Sequence, residues 1–67
     1  MLKYRDNSNP RFNVGDQVKV TFPGAYRGKD GPVMEIVEHR GDFVWRYRVR
    51  FADGKTLSFF EFELEKA

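Results

Sequence analysis

Between Gln17 and Phe22 apolar and polar side chains alternate one by one, with Val18, Val20 and Phe22 set against Gln17, Lys19 and Thr21. A repeat of two marks a strand with one face on a core. Pro23 and Gly24 end it. The strongest signal runs from Phe43 to Phe51: Phe43, Trp45, Tyr47, Val49 and Phe51 fall on one face, Val44, Arg46, Arg48 and Arg50 on the other. A helix, at 3.6 residues per turn, would scatter both sets around its circumference. Between these segments Pro32 to His39 is rich in branched side chains and reads as a second strand, closed by a hairpin connection at Arg40-Gly41-Asp42. Asp53-Gly54 makes the next hairpin turn, and Lys55 to Phe60 returns as a fourth strand. The tail Glu61-Phe62-Glu63-Leu64-Glu65 is expected to begin with one helical turn and end in a short last strand.

Four or five short strands with glycine-rich connections and no helical period predict an all-β fold. The expected form is a small antiparallel barrel, which closes on itself and removes most exposed strand edges. The barrel is expected to span residues 12–67. Residues 1–11, polar and rich in turn formers around Asp6-Asn7-Ser8-Asn9-Pro10, are expected to be a mobile arm. Val18, Val20, Ile36, Trp45, Tyr47, Val49, Phe51 and Leu57 are the predicted core, each lying on or beside the apolar face of its strand. The most unusual local feature is the eight-residue connection Gly24 to Gly31, in which three glycines supply backbone conformations that other residues reach only with strain.

A chain of 67 residues is one domain, and it buries only about 60% of the surface its unfolded form exposes. It has no cysteine and one histidine, so neither disulfides nor a zinc module can staple it; packing must suffice. An aromatic content of 16% argues against disorder. No apolar run approaches the roughly 20 residues of a membrane span, and the first residues lack a signal-peptide core. The expectation is a soluble, cytoplasmic chain, monomeric alone and without membrane insertion. Catalytic chemistry has little to work with, since Ser8, Thr21, Thr56 and Ser58 have no histidine partner in a recognisable setting. The glycine loop is not a phosphate-binding P-loop, because no GKS or GKT follows. No enzyme, cofactor or metal site is expected.

Charge changes the picture more. The net charge is only +2, but residues 1–50 carry ten basic and six acidic side chains while residues 51–67 carry two and four. The stretch Gly15-Asp16-Gln17-Val18-Lys19-Val20, followed by Gly24-Ala25-Tyr26-Arg27-Gly28-Lys29-Asp30-Gly31-Pro32-Val33-Met34-Glu35-Ile36, resembles the KOW motif of ribosomal and transcription-elongation proteins. That resemblance covers about a third of the chain and implies an SH3-like barrel that contacts RNA. The later stretch Tyr47-Arg48-Val49-Arg50-Phe51-Ala52-Asp53-Gly54, with Phe60-Glu61-Phe62-Glu63-Leu64-Glu65, resembles the ending of small Tudor-like and accessory SH3-like barrels. Those include small barrel subunits of photosynthetic electron-transfer complexes. The two resemblances imply one architecture and two uses.

The candidate nucleic-acid contacts follow. Arg46, Arg48 and Arg50 share a strand face at a repeat of about 6.8 Å, suited to phosphates along a nucleic-acid strand. Tyr26, Arg27 and Lys29 join a stacking surface to two charges in the loop, and Lys19 lies on the first strand beside them. The plainer reading makes the arginines a solvated face paired with Glu35 or Glu61, and Tyr26 a cover for the barrel's end. Trp45 is read as core, while one or two of Tyr26, Phe43, Phe59, Phe60 and Phe62 should stay partly exposed, a cluster of them marking a contact surface. Two functions are expected from this: a non-enzymatic module that binds RNA or a ribonucleoprotein, or an accessory subunit docking on a protein complex through exposed aromatics and charge complementarity.

Overall fold

A computed structural model describes residues 10–37 and 44–67. Among these residues five strands, β1 (Gln17–Val20), β2 (Asp30–Val37), β3 (Arg46–Arg50), β4 (Thr56–Phe60) and β5 (Leu64–Lys66), follow one another, with a single 3-10 turn, Glu61–Glu63, between the last two. They form one antiparallel sheet in the order β4-β3-β2-β1-β5. No α-helix occurs among the described residues. The fold is the expected small all-β, barrel-like one, including the turn-then-strand ending. The hairpin connection read at Arg40-Gly41-Asp42, together with His39 and Phe43, lies outside the described residues.

The apolar faces meet where the alternation puts them. Val18, Val20, Tyr47, Val49 and Phe51 are buried together with Phe12, Val33 and Leu64. At roughly 1.5–3 kcal/mol for each large side chain removed from water, this cluster is the main source of stability in so short a chain. Ile36, Trp45 and Leu57, expected in the core, are half-buried and pack against its margin. Val33 and Leu64 are additions to the predicted core, and so is Phe12. Its ring meets Tyr47 edge-on at 5.1 Å, so the segment leading into β1 carries a core residue that periodicity could not mark. Arg11, the last residue of the expected arm, is held by its backbone N–H, which donates to the Tyr47 hydroxyl and to Glu61. Residues 1–9 of that arm lie outside the described residues.

Two details of the glycine connection depart from expectation. β1 stops at Val20, whose N–H and C=O bond to Lys29 and Gly28, so the next apolar position, Phe22, leaves the sheet and is 49% exposed. Gly28 is a true turn glycine with φ at +85°. Gly31 is not: it lies inside β2 opposite Val18, and a Cβ on it would run into the carbonyl oxygen of Arg50. One glycine is needed for its backbone angle, the other for close packing of strands. In β2 a register shift between Val33 and Glu35 turns Met34 outward.

Candidate functional site

The loop between β1 and β2 is built back onto the barrel's end. Arg27 N–H donates to Gly24 and Lys29 N–H to Tyr26, which folds the loop into two consecutive turns. The Tyr26 ring packs on Phe51 at 4.5 Å, and its hydroxyl donates to Asp53 in the β3–β4 turn at 2.6 Å. That hydrogen bond raises the Tyr26 phenol above its ordinary range and lowers the Asp53 carboxyl below its own; the Lys55 N–H, also donating to Asp53, adds to the latter. Tyr26 therefore covers the barrel's end, as the plainer reading has it, while Arg27 and Lys29 stay exposed. Lys19 is exposed on β1 but stands in register between Asp30 of β2 and Glu65 of β5.

The three arginines of β3 share the outer face, opposite Phe60, Ser58 and Thr56 of β4. Each has a different neighbourhood. Arg48 Nε lies 3.4 Å from Glu35, a pair with both side chains about half exposed. The Arg46 guanidinium sits 5.8 Å from the centroid of the Phe60 ring, and its Nε is shut off from solvent with no hydrogen-bond partner. Arg50 is exposed at the end of the row. The structure thus groups the arginines as expected, and ties Tyr26 to the core-facing set through Phe51 instead.

Two features go beyond the expectations from sequence. Phe62, 65% exposed, stacks on Phe60 at 5.5 Å with rings nearly parallel, and Phe22 meets Phe62 edge-on at 6.5 Å. Phe62 and Phe60 are among the aromatics expected to stay partly exposed; Phe22 is not, because its place in the alternation points inward. The second feature is the outer edge of β4, which no other described strand pairs. An open groove of about 260 Å³ runs beside it, walled by Phe22, Pro23, Gly24, Ala25 and Tyr26 on one side and by Leu57, Ser58 and Phe59 on the other. Strand order, which no single-chain periodicity encodes, is what leaves β4 outermost. The run Thr56-Leu57-Ser58-Phe59-Phe60 does carry a signal, since it lacks the charges and prolines that usually blunt an edge.

No three of the described His, Asp or Glu side chains are grouped to hold a metal ion, and no helix of the described residues is long and apolar enough to cross a membrane. Compared with protein-family models and with curated proteins, the chain finds no match. The KOW-like and Tudor-like patterns therefore stand on their residues alone.

Proposed function

We propose that this domain is a non-enzymatic docking module that binds a protein partner along the outer edge of β4 and the aromatic surface beside it. One observation carries the reading: an uncharged edge strand borders an apolar groove, with Phe22 and Phe62 exposed nearby. Edge strands in monomeric proteins are normally protected by charge, proline or a covering segment, and contiguous exposed aromatics mark contact surfaces. A second reading, RNA binding, is favoured by a separate observation. Arg46, Arg48 and Arg50 share the outer face of β3, exposed at Arg48 and Arg50 and continuing at Arg46 into the Phe60–Phe62 stack, which joins charge to aromatic rings as single-strand binders do.

Amide NMR shifts test the two against each other at low salt. The probes are a pool of extended eight-residue peptides and a mixed-sequence single-stranded RNA. Shifts at residues 22–26 and 56–60 with peptides support docking. Shifts confined to the arginine face and residues 27–29 with RNA, and none with peptides, replace it by the second reading.

A further inference from the structure

We infer that the partner adds a sixth strand to β4, and that this strand is an extended segment in which apolar residues alternate with acidic ones. The inference rests on the docking reading and names its partner's chemistry.

The hydrogen-bond parity of the β3–β4 ladder comes first. Phe51 N–H donates to Lys55 and Glu61 N–H to Trp45, and both pairs keep the register that sets Val49 opposite Leu57 and Tyr47 opposite Phe59. In an antiparallel pair, bonded and non-bonded positions alternate. Leu57 and Phe59 are therefore the bonded positions, and the N–H and C=O of Thr56 and Ser58 point away from β3, toward the groove. Neither residue has a hydrogen bond elsewhere among the described residues. At the other end of β4 the Phe60 N–H is taken by Glu63 Oε1 at 2.8 Å, which sets where an added ladder stops. The opposite sheet edge, β5, is three residues long and carries Glu65 and Lys66, so it is guarded in the way β4 is not.

The occupant follows from shape and charge. The loop from Phe22 to Tyr26 lines the groove together with Leu57, Ser58 and Phe59, a narrow cleft that suits one extended chain better than a broad flat surface. A five-residue edge is about 17 Å long, too short by itself to build the roughly 1,200 Å² that a stable dimer buries. Side chains of the added strand that point inward enter the groove among Val20, Phe22, Tyr26, Leu57 and Phe59, which requires apolar residues. Those that point outward stand beside Thr56 and Ser58, with Arg50 and Arg48 one strand further, roughly 10 Å away at two strand spacings. The short hydroxyl side chains leave that gap open. Glu35 on Arg48 is the one carboxylate within ion-pair distance of these two arginines among the described residues, so the row retains positive charge that acidic side chains would meet and lysines would oppose.

The test uses the full chain and three capped seven-residue peptides: leucine alternating with glutamate, leucine alternating with lysine, and the glutamate peptide with its backbone N-methylated. Strand addition with acidic specificity predicts shifts at 56–60 and 22–26 with the glutamate peptide, about tenfold weaker binding of the lysine peptide, and none of the N-methylated one. Ser58→Pro should abolish binding while leaving the other amide resonances in place, because the N–H it removes bonds to nothing among the described residues. Arg48→Gln with Arg50→Gln should bring the two charged peptides within about twofold of each other. Equal binding of both charged peptides at β4 overturns the acidic specificity and leaves the docking reading intact. Undiminished binding of the N-methylated peptide, or concentration-dependent broadening of β4 amides without any peptide, overturns strand addition by a partner. Peptides that shift nothing, with RNA shifting the arginine face, overturn the docking reading itself.

Discussion

The Tyr47 hydroxyl, at the centre of β3, donates to Glu61 Oε2 at 2.5 Å, joining the core to the first residue of the 3-10 turn. The Tyr47 hydroxyl oxygen also accepts from the backbone N–H of Arg11 at 3.0 Å and of Phe12 at 3.4 Å. One buried phenol thus fixes both the entry into β1 and the exit from β4. Replacing Tyr47 with Phe keeps the ring and removes the junction. It should cost about 1–3 kcal/mol in urea unfolding, the range for leaving buried partners unsatisfied.

The same hydroxyl sets an alkaline limit. Burial first, and the hydrogen bond to Glu61 second, raise the Tyr47 phenol well above its ordinary value of 10.0. A group whose folded pKa is raised contributes stability that is complete below the unfolded pKa and is lost as pH rises beyond it. Unfolding free energy should therefore fall above about pH 10 in the native chain. In Tyr47→Phe this part of the slope should vanish, and an unchanged slope would place the alkaline loss elsewhere.

Gly28 and Gly31 look alike in sequence and should answer differently to substitution. At Gly28 the positive φ is the constraint and space is open, so Gly28→Ala should cost about 1–2 kcal/mol and Gly28→Asn less, because asparagine tolerates the left-handed region. At Gly31 the constraint is the Arg50 carbonyl, and alanine there should cost about 1–3 kcal/mol through overpacking. Asparagine should be no better than alanine at Gly31. Thermal unfolding of the four variants checks the contrast.

Those glycines mark where sequence reading stops. β4 has no fully buried face and is marked by the Asp53-Gly54 turn before it, whereas alternation makes β1 and β3 legible, because one face of each is buried and a period of two survives in the side chains. It also groups the three arginines correctly. It cannot reveal that Gly31 belongs to a strand, since close approach of two backbones depends on a neighbour 19 residues away in the chain. Phe12 escapes it for a related reason: a lone core residue in an irregular segment has no period. The β4 edge depends on strand order, and Tyr26 reads in sequence as a stacking surface because its partner Asp53 looks like a turn former only.

The Tyr26–Asp53 bond predicts an acid-side effect. With its carboxyl held below the ordinary value, chiefly by the Tyr26 hydroxyl, Asp53 contributes stability above its unfolded pKa that is lost as pH falls through the lowered folded one. Tyr26→Phe removes the leading cause, so the Asp53 carboxyl should titrate at higher pH when followed by carbon NMR. Amides of residues 24–29 should exchange faster in that variant, because the loop then holds to the β3–β4 turn by ring packing alone.

Arg48→Gln separates stability from binding. The Arg48–Glu35 pair is half exposed, and pairs of this kind contribute less than about 1 kcal/mol, so the variant should unfold within that margin of the native chain. Its effect on RNA, if RNA is a ligand, should be larger and of a particular form. Every phosphate that the protein no longer neutralises lowers the slope of log affinity against log salt by about 0.7 for single strands. Removal of Glu35 by Glu35→Gln should act in the opposite sense, freeing Arg48 and strengthening RNA binding at low salt. A base-reading or purely apolar interaction would leave the slope unchanged in both variants. Opposite shifts in the two variants would assign RNA to the arginine face, and identical slopes would leave that face to a protein partner.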